Sequence, residues 1–286
     1  QRVTDPEATA SGAARHPNTI NRKRIDDLQD AIRAEIYLEM WGGHAGTSDK
    51  RLRLNGGPWI SIPDPEAIPG DAGREAYQDP ECYQQFIYPS VPVPVEQLVE
   101  GVNTLEFTSG GQTCFNFGWG QWGLHGITFR IYYDAVRPHP TGRILTPATG
   151  STIAAEVLLE AEASSPNGDI AQVDFIGLYE DFDYEGNGQY RQWHYRYRSG
   201  EIRNHLGTAT ESPFAVNWHT TWVPDQEEPM RIMARIKDDS GLVYMTPAVE
   251  GIDLERPGTS VKLYKPYNVP ARWQTRLGAR LGSRVF

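Results

Sequence analysis

Three groups of residues in this 286-residue chain have the types and spacing that chemistry requires. The first is aromatic and glycine-rich. Trp41, His44, Trp59, Trp119, Trp122 and His125 all flank turns or glycines. An indole stacks on the apolar face of a sugar, and nearby polar side chains satisfy the sugar hydroxyls. Large aromatics are generally buried, so most of these rings are expected in a core. Trp119 and Trp122 stand three apart in Trp-Gly-Gln-Trp-Gly. They are the two expected at a surface if any are, with His125, Trp41 and His44 completing a glycan-binding set.

The second group is Asp181, Asp183, Glu185 and Asn187, alternating through a run that ends in Gly186-Asn187-Gly188-Gln189. Calcium takes roughly six to eight oxygens, and alternating carboxylates beside glycine can wrap it. The run is similar to the D-x-D-x-D-G calcium loops of secreted modules. It departs from them at Glu185, and from an EF-hand at Gln192, and its strand-like flanks exclude an EF-hand. Calcium is therefore the candidate cofactor, and an acidic hairpin tip is the competing reading. The third group is C-terminal. Arg272, Arg276, Arg280 and Arg284 recur every four residues, with Trp273, Leu277, Leu281 and Val285 one step later. On a helix this would make an apolar stripe beside arginines, but Gly278 and Gly282 each cost about 1 kcal/mol there. The tail is expected to fray, to dock, to bind another copy of the chain, or to begin a further module.

Charge and cysteines narrow the partners. The net charge is −10, which argues against nucleic acid, since phosphate binding needs a basic face. Glu255–Phe286 holds seven basic residues and one acidic one, a tail of +6 that leaves −16 on the body. Cys82 and Cys114 are the only cysteines, so one disulfide is possible. It would close a loop of roughly 30 residues, contributing about 3–4 kcal/mol in the chain-entropy model. Two buried thiols are the alternative. Opening on Gln1 without Met fits a processed secreted protein or a trimmed chain. No run of about 18 apolar residues exists to span a bilayer. No G-x-S-x-G, H-E-x-x-H or phosphate-loop motif is present, and the seven histidines are scattered, so a non-enzyme is expected.

The elements that must position these residues read almost entirely as strands. Ile36, Leu38 and Met40 alternate up to Gly42-Gly43, and Ile127–Tyr133 is a clean period-2 strand. Asn55-Gly56 marks a hairpin turn. Val91-Pro92-Val93-Pro94-Val95 cannot be a central strand, because proline lacks the donor. Ile25, Leu28 and Ile32 fall at helical spacing and predict a short helix. Arg137-Pro138-His139-Pro140 is a stiff linker signal. The fold class is all-β, two β-sandwich domains in tandem with extended termini. The expected divisions are a lead-in at 1–21, a first domain at 22–136, a linker at 137–142, a second domain at 143–254, and a basic tail or further module at 255–286.

Some of these patterns are familiar. Arg51–Pro63, "EGVNTLEF" at Glu100–Phe107 and "GWGQWGLHGITFRIYYD" at Gly118–Asp134 together resemble a galactose-binding-like jelly roll of the carbohydrate-binding-module type. "VDFIGLYE" at Val173–Glu180, Gly207–Gln226 and "MRIMARIKDDSGLV" at Met230–Val243 resemble a bacterial immunoglobulin-like module. The resemblance implies non-catalytic modules of a secreted or cell-surface multidomain protein, with a polysaccharide or other glycan as partner. The alternative function is a structural subunit of an extracellular filament or surface assembly, joined through its basic tail.

Overall fold

Alternating apolar residues make strands nearly everywhere, and the computed structural model describes residues 1–8, 18–41, 43–44, 46–64, 86–113, 118–183, 189–198 and 200–263. The chain forms two compact units. One is Gln1–Asp134 with the short stretches Glu185–Gln189 and Tyr197–Glu201; the other is the rest. Among the described residues, the one helical element named is a single 3-10 turn at Val95–Gln97.

Among the described residues the first unit has nine strands: β1 (Arg2–Thr4), β2 (Asn21–Ile25), β3 (Ala31–Trp41), β4 (Arg51–Leu54), β5 (Ile60–Ser61), β6 (Phe86–Ile87), β7 (Ser90–Val93), β8 (Gly101–Thr108) and β9 (Gln121–Tyr133). One sheet runs β1-β9-β3-β6, with β7 also on β3; the other runs β2-β8-β4-β5. Between them lies an apolar core that includes Ile36, Leu38, Met40, Leu52, Leu54, Leu105, Phe107 and Trp122. The Asn55-Gly56 turn forms as read. Both residues have positive φ, and Gly57 N donates to Leu54 O at 2.7 Å. Pro92 stands exposed in β7, which among the described residues pairs with β3 alone, an edge place where its missing donor costs nothing.

Two expectations are corrected here. Ile25–Ile32 is not a helix. Ile25 ends β2, Gln29 N takes the Asp27 carboxylate at 2.8 Å in a side-chain turn, and Asp30 turns at φ 60 into β3. Ile25 and Leu28 still reach the core, which is why their spacing mimics a helix. Nor are residues 1–21 merely a lead-in. β1 pairs with β9, setting the fully buried Val3 opposite Trp122, and Asn18 brackets Thr4 by bonding both its N–H and its C=O. Three residues are too few to show a period, so the pairing is invisible in sequence.

The strands after Asp134 are β10 (Thr141–Thr146), β11 (Thr152–Ile153), β12 (Glu156–Ser164), β13 (Ile170–Glu180), β14 (Arg191–His194), β15 (Arg196–Arg198), β16 (Glu201–Arg203), β17 (Gly207–Ala209), β18 (Phe214–His219), β19 (Met230–Asp238), β20 (Val243–Met245) and β21 (Val249–Leu254); all lie in the second unit except β15 and β16, whose Tyr197–Glu201 portion groups with the first. A sheet β10-β12-β18 faces a larger one, β11-β21-β19-β13-β14, to which β17 and β20 add; β15 and β16 form a separate ribbon. Leu159, Phe175, Trp218, Ile232 and Ile252 lie in the core between the sheets. The residues after β21 do not leave the unit at once. Arg256 is held by Thr220 O and Asp225, and Ser260 Oγ donates to Asp225 at 2.5 Å. That Ser260 bond, foremost, holds the Asp225 carboxyl below its ordinary range.

Candidate functional site

Strand alternation decides which rings in the first unit meet solvent. Ile36, Leu38 and Met40 of β3 point into the core, so Glu35, Tyr37, Glu39 and Trp41 take the outer face of the sheet. Their neighbours on β9 are Arg130, Thr128, Gly126 and Gly123. A bulge between Glu39 and Met40 makes two residues of β9 fill one place, which brings His125 onto this face beside Gly126. On β6, Phe86 stands opposite Trp41.

At one end of this face lies an aromatic platform. Phe86 is 53% exposed, His125 is exposed and Trp41 is half-buried. The Phe86 and His125 rings lie 5.3 Å apart. Gly123 lies between His125 and Trp41: a Cβ there would be in ordinary contact with both, 3.4 Å from His125 Nε2 and 3.5 Å from the Trp41 ring. Beside the platform the buried Glu39 carboxylate lies across Gly126, where an added Cβ would come within 2.2 Å of Glu39 Oε1. Exposed ring faces next to a carboxylate acceptor are the two components that hold a polar ring with an apolar face.

The other end is occupied by a cluster around Glu35. Arg130 Nη1 donates to Glu35 at 3.0 Å and to Ser90 Oγ at 3.2 Å, and Tyr132 donates to the same Glu35 oxygen at 2.8 Å. Arg33 lies 3.6 Å over the Tyr132 ring, and Arg130 lies 4.5 Å from Tyr37 and 5.2 Å from Tyr197. Burial, and then the bond to Glu35, push the Tyr132 hydroxyl up. Arg33 and Arg130 share the one Glu35 carboxylate, and these contacts fix β3 against β9.

The five residues of the expected glycan set therefore separate. Trp41 and His125 come together on the platform, and Phe86, which sequence reasoning missed, completes it. Trp119 and Trp122 are corrected: neither offers a free ring face. Trp122 is fully buried, edge-on to Phe107 at 5.7 Å, with Nε1 donating to Thr108 O at 3.3 Å. Trp119 is 7% exposed and packs edge-on to His44 at 4.7 Å, with His44 Nδ1 on its carbonyl at 2.9 Å. The glycine between them serves close packing. A Cβ on Gly120 would come within 2.2 Å of Gly110 O. The signal for Phe86 was weak, because β6 is two residues long and shows no period.

The remaining candidates lie wholly or partly outside the described residues. Of the acidic run, Asp181 and Asp183 are described, Asp181 N donating to Tyr190 O at 2.9 Å; Glu185 and Asn187 are not. Among the described residues no three His, Cys, Asp or Glu side chains are grouped to hold a metal ion. Cys82, Cys114, Arg272, Trp273, Arg276, Arg280 and Arg284 are also outside. No helix among the described residues is long and apolar enough to cross a membrane.

Comparison with known proteins bears on the second unit. Residues 140–232 match the family model described as Bacterial Ig domain, Big_7. Among matching solved structures are the fibronectin(III)-like modules of Clostridium thermocellum CbhA. They are 19% identical, the alignment covering 41% of this chain and 98% of that one, with a TM-score of 0.26. No curated protein matches the chain. The family match falls in the second unit, so the jelly-roll resemblance of the first rests on its sequence pattern.

Proposed function

We propose that the chain is a non-catalytic pair of β-sandwich modules of a secreted or cell-surface protein. In this reading the first unit binds a glycan and the Ig-like second unit supports it. One observation carries the binding role: the Phe86, Trp41 and His125 rings gather on three adjoining strands, with the Glu39 carboxylate beside them. A sugar ring laid on Trp41 and Phe86 would lose apolar surface to water, and its hydroxyls could donate to Glu39. No step of bond making or breaking is needed for this role.

The test is a glycan array followed by titration with the best ligand. Trp41→Ala and Phe86→Ala each weaken binding about tenfold or more, as expected for removal of one stacked ring, while the melting temperature stays near that of the parent. Trp119→Ala lowers the melting temperature instead. Binding that survives Trp41→Ala and Phe86→Ala together would rule out the platform.

A further inference from the structure

The opposite sheet of the first unit carries a different chemistry. β2 and β4 flank β8 on its two sides. Their registers set Arg24 opposite Val102, Arg22 opposite Thr104, Arg53 opposite Glu106 and Arg51 opposite Thr108. Directly paired residues share a face of the sheet. Asn103, Leu105 and Phe107 are the buried positions of β8, so its alternate residues and the arginines beside them take the outer face. The result is a row, Arg24-Arg22-Arg53-Arg51, stepping along β8 every two residues. Projected along β8 each step is roughly 7 Å, and between Arg22 and Arg53 the row also crosses from β2 to β4, a sideways shift of roughly 10 Å.

This row is under-neutralised. Arg53 is held in a fork by Glu106, at 3.0 and 2.7 Å, and Arg24 by Asp26 at 2.5 Å. Arg22, Arg51 and the neighbouring Lys23 meet no carboxylate among the described residues. Arg22, Lys23 and Arg24 are all exposed on the edge strand. The other described carboxylate at this edge is Glu100, which accepts from Leu28 N at 3.0 Å. The four arginines of this face thus meet two carboxylates, Glu106 and Asp26, in a chain whose net charge is −10. Beside the row stands Trp59, exposed, with the Arg53 guanidinium 4.7 Å from its ring. An arginine presents a planar fork that fits carboxylate and sulfate alike.

We propose that this face binds a linear anionic polysaccharide, whose acidic groups are taken by Arg22, Arg24 and Arg51 and one of whose rings lies against Trp59. Nucleic acid fits less well. Its charge is packed at about one per 1.7 Å and would be repelled by the acidic body, whereas the arginines stand several ångströms apart on a flat face.

The experiment is affinity electrophoresis of the full chain through gels holding polygalacturonate, heparin or a neutral β-glucan, with a duplex-DNA mobility shift alongside. The chain is expected to be retarded by polygalacturonate if carboxylates are read, or by heparin if sulfates are, and added salt should release it. Arg22→Gln with Arg24→Gln should weaken that retardation about tenfold, and Arg51→Gln a few-fold. Because Arg22 and Arg24 are exposed, the melting temperature should hold. Trp41→Ala should leave polyanion binding intact, so failure of this proposal is separable from failure of the platform. The proposal is overturned if neither polyanion retards the parent, if the arginine variants migrate like the parent, or if DNA binds as tightly as either glycan.

Discussion

Acid should unfold the second unit through His194, and the size of the effect follows from its surroundings. The ring is fully buried, 4.0 Å from the Tyr179 ring, with Nε2 donating to Tyr179 O at 2.8 Å. Burial disfavours the imidazolium and outweighs the backbone bond, taking the pKa from 6.5 to about 4. Between those values the unfolded chain takes up a proton that the folded chain refuses. Stability is therefore complete above pH 6.5 and falls as pH drops towards 4. A depression of that size corresponds to about 3 kcal/mol. The assay is urea unfolding followed by tryptophan fluorescence, since Trp218 lies 5.6 Å from Tyr179 in the same core. The parent is compared with His194→Gln across this range. His205, lowered chiefly by its own burial, titrates in both proteins and drops out of the difference. The stability gap between parent and variant should shrink by about 3 kcal/mol from pH 7 to pH 4. A gap that stays constant would refute the assignment.

Three further outcomes are expected from unfolding measurements. Trp122→Ala, in the core opposite Val3, should cost about 3–5 kcal/mol, whereas Trp41→Ala on the outer face should cost little. Asp174→Ala removes the buried carboxylate that accepts from Arg235 at 2.7 Å and from Thr208 at 2.7 Å; about 3 kcal/mol should be lost, with partial recovery in Asp174→Asn. Gly43→Ala places a Cβ 1.8 Å from the Gln121 carbonyl at φ +71, so a melting temperature within a degree or two of the parent would show that the Gly43–Gln121 contact is wrong; about 3 kcal/mol or more should be lost.

Local rules were enough for much of this architecture. The alternation of Ile36, Leu38 and Met40 already dictates that Glu39 and Trp41 share the opposite face. Asn55-Gly56 specifies its turn because both residues tolerate positive φ, and Pro92 is confined to an edge because it has no N–H. Period alone misled at Ile25–Ile32, where two residues of a turn reach the same core that a helix face would.

What composition and spacing could not decide was which tryptophan meets water. Trp122 is buried because Val3, far away in the chain, pairs across from it, and Phe107 packs on its ring. The platform exists because a bulge in β9 turns His125 outward and because the two-residue β6 delivers Phe86 beside Trp41. The arginine row likewise joins Arg22 and Arg24 to Arg51 and Arg53 only because β8 enters between them. A strand's own sequence fixes the side to which each residue points. Its neighbours in the sheet, set by pairing between distant segments, fix what that side meets, and that is what assembled the candidate site and scattered the rest of the expected set.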